Sequence, residues 1–317
     1  MNTMIALLKR ESIENRVGMI WTPLIVMGLM LLLIVSSLII NAGDVTLGLS
    51  SDNRSIMDLG GLLNELAQND PQVRSGMVIS FLSLLSSPAL LILPFVIFFI
   101  MLGGLYEERR DRSFLFWKSM PVSDTAEVLS KLLAGVVLTP AVFFLAGIAA
   151  QIIALMFISL YGLVQGAAVG AIWHPGAFLL NWLHAALAIA VWVLWALPVF
   201  AWVLFCSAYA PRAPFMYAVV PLIALIILEG VIFKGDRLAG WIGQHLGAVP
   251  MMRDLGDALS KPMAGMGEGR MEGIMALISR PDFSALVQSF GYADLWIGLV
   301  IAAGFTAACV WLRRNNL

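Results

Sequence analysis

The chain has 317 residues, of which 60% are hydrophobic and only 12% charged. A mean hydropathy of +0.91 excludes a soluble globular domain. The formal net charge of −1 excludes a nucleic-acid partner, because no basic surface exists to neutralise phosphates.

Gaps between charges decide the class. A bilayer core needs roughly 20 apolar helical residues, and the sequence supplies such runs repeatedly, giving an all-α polytopic membrane protein of six spans. Residues 2–16 form a short helix in which Met4, Ile5, Leu7 and Leu8 oppose Lys9, Arg10, Glu11, Glu14 and Arg16. Such a helix suits the headgroup layer. The charges follow the apolar stretch and no small-residue cleavage site is present, so this is not a cleaved signal peptide. The first span covers 18–41, with Trp21 at its inner end, where aromatic belts occur. Residues 42–76 read as a polar outer loop.

The second span, 77–105, contains Pro88 and Pro94. Each removes a backbone hydrogen bond, so a bend is expected there. Residues 106–131 follow, a cytoplasmic segment reading YEERRDRSFLFWKSMPVSDTAEVLSK. Glu108 and Arg112 are four apart and Glu107 and Arg110 three apart, so a helix here would be laced with ion pairs. Phe114, Leu115, Phe116 and Trp117 end it in an apolar cluster too short to span a membrane. Pro121 breaks it, and Ser123 or Asp124 caps the next helix. The charges either hold the loop on the cytoplasmic side or form a docking helix.

The third span, 132–161, carries Pro140. Gly162, Gly166 and Gly170 then recur at every fourth position, either as a close-packing row or as a flexible loop. The fourth span is 181–209 and the fifth 215–233, joined by the tight turn Pro211-Arg212-Ala213-Pro214. Glu229 lies near the outer end of the fifth. Residues 234–292 mix apolar and polar positions in the manner of short amphipathic or re-entrant helices. The last span is 295–312 and ends in Arg313-Arg314. Lys and Arg concentrate in the short segments that hold both termini, which predicts cytoplasmic termini.

Chemistry of its own is not visible. No GxxxxGK[ST] phosphate loop occurs, and the glycine cluster at 265–273 lacks the flanking strand and helix. His174, His184 and His245 form no ligand spacing and read as interfacial; Cys206 and Cys309 read as packed thiols. No metal site is predicted. Met251, Met252, Met263, Met266, Met271 and Met275 suit either adaptable apolar contacts or Cu(I). Ionisable residues are almost absent from the spans, which argues against proton- or sodium-coupled transport.

The polar first helix, the six spans, the Glu107–Ser130 motif and the enlarged fifth-to-sixth connection together resemble ATP-binding-cassette type-2 export permeases. The resemblance implies a connecting helix at 2–16 and a coupling helix at 107–119 that dock an ATPase subunit. Glu107, Glu108, Arg109, Arg110, Arg112, Phe114 and Trp117 are the residues expected to carry that docking. It also implies a second permease copy, surrounding membrane lipid, a bacterial inner or plasma membrane location, and ATP and Mg bound in the partner, with no cofactor in this chain. The alternatives are a non-transporting scaffold, sensor or immunity protein, or a permease linked to copper handling.

Overall fold

The computed structural model describes residues 3–40, 59–112, 122–247 and 282–316. Every regular element among them is helical. In chain order these are α1 (Thr3–Glu14), α2 (Thr22–Ile40), α3 (Leu59–Gln68), α4 (Pro71–Gly104), α5 (Tyr106–Arg110) and α6 (Asp124–Leu133). After them come α7 (Thr139–Val164), α8 (Pro175–Tyr209), α9 (Pro214–Phe233), α10 (Arg237–Leu246), α11 (Phe283–Gln288) and α12 (Ala293–Asn316). Six of the helical runs are long and apolar enough to cross a bilayer. The chain is thus a polytopic helical membrane protein.

Its centre is α8, packed between α4 and α12. Trp195, Ala196, Phe200 and Leu204 on α8 are fully enclosed. In its most apolar stretch 56% of residues are buried, against 6% for α9, so α9 lies at the edge of the bundle. Exposed Ile223, Leu225, Leu228 and Val231 on α9 are consistent with that position.

Helices run past the predicted span limits. α4 begins at Pro71 within the expected outer loop, with Asp70 accepting from Gln72 N at 2.8 Å as its N-cap. At 34 residues it is about 51 Å long, well beyond a ~30 Å hydrocarbon core. α3 occupies another part of that loop. The glycine row proves to be a connection and not a packing seam. Gly162 closes α7 near Leu63, Gly166 takes φ +70°, and Gly170 lies in a 3₁₀ turn with nothing against it.

Two of the in-helix prolines, Pro88 and Pro221, sit where the lost hydrogen bond is replaced. Pro88 leaves the Leu84 carbonyl without its usual donor, and Ser87 Oγ donates to it at 2.8 Å. Pro221 does the same to Tyr217, whose carbonyl takes the Cys206 thiol at 3.4 Å. Pro23 and Pro140 are each preceded by a widened π turn, Val17–Trp21 and Ala134–Leu138. The two turns share the pattern G-x-x-x-T-P. In each, a threonine hydroxyl donates five residues back: Thr22 to Val17 O at 3.0 Å and Thr139 to Ala134 O at 2.9 Å. A wider turn accommodates the ring that would crowd the carbonyl four residues earlier. Both glycines face α4. A Cβ on Gly18 would touch Val96 at 3.4 Å, and one on Gly135 would overlap Met101 Cε.

A polar clasp binds α4, α7 and α8 in the apolar interior. Gln151 Nε2 donates to Leu82 O (3.0 Å) and Ser86 Oγ (2.8 Å), while its Oε1 accepts from Trp182 Nε1 (2.6 Å). Gln151→Leu keeps the shape and loses all three bonds. Interhelical bonds in membranes average ~0.6 and reach ~1.7 kcal/mol, so a loss of about 1–2 kcal/mol is expected in detergent unfolding. An unchanged unfolding midpoint would show that the clasp contributes nothing.

Candidate docking face and its ion-pair root

Helices α1, α5, α6 and α12 bring their charges together at one end of the bundle. Glu108 is the meeting point. Its Oε1 lies 2.8 Å from Lys131 Nζ and 3.3 Å from Arg10 Nη2, and its Oε2 lies 3.0 Å from Arg313 Nη1. Lys131 also reaches Glu11 (2.9 Å), and Arg10 reaches Glu11 and Glu127, the latter at 2.7 Å. Arg313 Nε adds Asp124 at 3.2 Å. Glu11, Glu108, Glu127, Lys131 and Arg313 are all buried. Three cations thus face three buried carboxylates, and Asp124 and Glu14 stand at the rim.

Local structure explains the convergence. Ser123 accepts from Ala126 N at 3.2 Å and caps α6, as expected, which frees Asp124 to reach α12. Helical spacing then sets Glu127 and Lys131 four apart on the inward face of α6. On α1, Leu7 and Glu11 form the buried stripe. The helix is therefore seated on α6 through a stripe that includes a buried charge. Burial opposes the charge on Arg10, yet the Glu11 and Glu127 carboxylates outweigh it and raise its pKa. Glu14 is raised above the usual glutamate value, first by partial burial and then by Glu11.

The expected docking residues divide into two groups. Glu108 turns into the cluster. Arg109 caps the C-terminus of α8, its Nη2 donating to Ser207 O at 2.6 Å and Ala210 O at 2.7 Å. Ser207 Oγ in return accepts from Leu105 N and Tyr106 N at 3.0 and 2.9 Å, so the start of α5 and the end of α8 cap one another. Glu107, Arg110, Asp111 and Arg112 remain exposed. The helix stops at Arg110, Arg112 takes φ +56°, and Arg110 pairs with its neighbour Asp111 at 3.0 Å. The predicted continuous, ion-pair-laced helix is thus interrupted after one turn. Phe114 and Trp117 lie outside the described residues.

Other singled-out residues are structural. Glu229 accepts from Arg237 N (3.1 Å) and Leu238 N (2.8 Å) and so caps α10. His245 is corrected from interfacial to fully enclosed. Its Nδ1 donates to Trp241 O at 2.8 Å, its ring lies against Trp195, and a Cβ on Gly298 would meet Nε2 at 2.8 Å. His174 contacts Arg74 Nε at 3.2 Å, and His184 meets Phe283 edge-on. Both cysteines are free and buried, as expected. Among the described residues no cluster of metal-binding side chains occurs. The methionine-rich segment and the 265–273 glycines lie outside the described residues.

Glu11, Asp124, Glu127, Lys131 and Arg313 were absent from the docking residues expected from sequence. The available signal was that a charge-poor chain places both signs beside the same ends of its spans. Comparison with protein-family models, with characterised proteins and with solved structures finds no match.

Glu108→Gln leaves Lys131 and Arg313 facing a neutral amide. Breaking a buried pair costs about 3–5 kcal/mol, and unfolding in detergent is expected to show a loss of that size; exposed Arg110→Ala should stay within about 0.5 kcal/mol. Equal small losses from both would mean that Glu108 is not buried. Glu14 supplies a pH test. Because its folded pKa is raised, its contribution is fully present below the ordinary glutamate value and disappears as pH rises through the folded one. Glu14→Gln is therefore expected to flatten stability across that window; an unaltered pH profile contradicts this assignment.

Proposed function

We propose that this chain is the permease subunit of an ATP-driven exporter, working with a separate ATPase subunit at its charged end and with a second permease copy. That end is read as cytoplasmic from the Lys and Arg distribution. The observation that carries the proposal is the division of Tyr106–Arg112. Glu108 and Arg109 root the segment in α1, α6, α8 and α12, while Glu107, Arg110, Asp111 and Arg112 are exposed at its tip.

A tip contact alone would only deflect a loop. Here the root is ion-paired and hydrogen-bonded to the ends of several long helices, so displacement of the tip acts on them together. ATP binding and Mg belong to the partner; the permease supplies the lever and the path. Export of a drug, peptide, lipid or ion is compatible with an interior held by neutral polar contacts such as the Gln151 clasp.

Arg110→Glu together with Arg112→Glu is expected to weaken co-purification of the ATPase and its stimulation by about tenfold, the scale of reversed charges at an interface. Thermal stability should not change. Undiminished co-purification and transport would remove the tip as the docking element. Arg109→Ala is expected to act differently, lowering stability by uncapping α8.

A further inference from the structure

An apolar trough opens where α1 passes beside the two π turns. Its volume is about 390 Å³, inside the ~300–1,000 Å³ range of small-molecule sites. Ile5 and Leu8 of α1 form one wall, Met19 and Ile20 of the first π turn another, and Leu138 and Val142 at the second bend close it. Lys9 and Ser12 are the polar residues at its edge. Ser12 Oγ donates to the Lys9 carbonyl at 2.7 Å.

Two features select the occupant. The lining of the trough is almost wholly apolar, and a single hydrocarbon chain fits its volume. The neighbouring cation Arg10 is committed to Glu11, Glu108 and Glu127, but Lys9 is exposed and takes no part in the ion pairs among the described residues. An uncommitted ammonium at the mouth of an apolar trough, on a helix beside the bilayer, matches an amphiphile with an anionic head. We propose that the trough holds one acyl chain of an anionic phospholipid, with its phosphate on the Lys9 ammonium. The bound chain then lies between the bends of the first and third spans, in contact with both.

The inference is independent of the transport reading, since lipid retention needs no ATPase. The test is native mass spectrometry of the full chain from nanodiscs of phosphatidylglycerol or of phosphatidylcholine. Phosphatidylglycerol adducts are expected to persist about fivefold over phosphatidylcholine adducts, the size of one basic contact with an anionic lipid. Lys9→Gln should abolish that preference. Ile20→Trp, at a partly exposed wall position, should fill the trough and reduce both adducts while leaving Lys9 in place. Equal retention of the two lipids, a preference that survives Lys9→Gln, or adducts indifferent to Ile20→Trp would each overturn the assignment. So would a lipid-free dimer, which would give the trough to a second copy.

Discussion

The carboxylate of Glu108 constrains the architecture at the charged end more than any other group. It is buried among Arg10, Lys131 and Arg313, which arrive from three different helices. Isolated ions do not survive such burial, because desolvation costs several kcal/mol per ion unless opposite charges and hydrogen bonds offset it. The three cations are matched by Glu11, Glu108 and Glu127, so the group is balanced only when α1, α5, α6 and α12 are all in place. Neutrality of the whole, and not any single pair, holds these helix ends in one arrangement. A buried network of this kind specifies geometry more than it adds net stability.

Polar groups elsewhere obey the same rule with smaller stakes. Ser87 and Cys206 donate to carbonyls that prolines leave open, and Glu229 receives two amides at the start of α10. Each acidic, hydroxyl or thiol group therefore replaces a backbone partner that the bilayer cannot supply. His245 follows this only in part. Its Nδ1 bonds to Trp241 O, while Nε2 and the neighbouring Trp195 Nε1 are buried without hydrogen-bond partners. That corner, where α10 packs on α8 and α12, keeps two ring N–H or nitrogen positions buried without a partner.

The spans were legible in the sequence because each rests on a local property, an uninterrupted apolar run of bilayer length. The Ser123 cap and the turn at Pro211–Pro214 were legible for the same reason. The ion cluster was not, since its pairs between helices join residues 23 to 205 positions apart. Helical spacing offered Arg112 as a partner for Glu108, but the helix ends at Arg110 and the glutamate meets cations from other helices instead. Arg109 was likewise assigned outward, although two carbonyls at the end of α8 lie within its reach. In both cases a tertiary partner displaced a local one, and no periodicity encodes that exchange. The repeated G-x-x-x-T-P was readable as a pattern; the meaning of its spacing, a π turn ahead of each proline, needed the backbone.

Those two turns bear on how a fixed end can belong to a working membrane protein. The cluster holds the helix ends, while the backbone ladder is widened at the two π turns, a feature frequent at functional sites. Both lie just inside the cluster, one beyond α1 and one beyond α6. Both also present a glycine to the same stretch of α4, between Val96 and Met101. With no side chain on those glycines, α4 can approach closely, and rotation of either span about its turn moves it against that common surface. Displacement of the charged root would then reach α2 and α7 through bends at matching depth, with α4 as the shared bearing. The ion cluster and the π turns are in this sense complementary: the first ties the helix ends together, and the second widens the helical ladder just inside them.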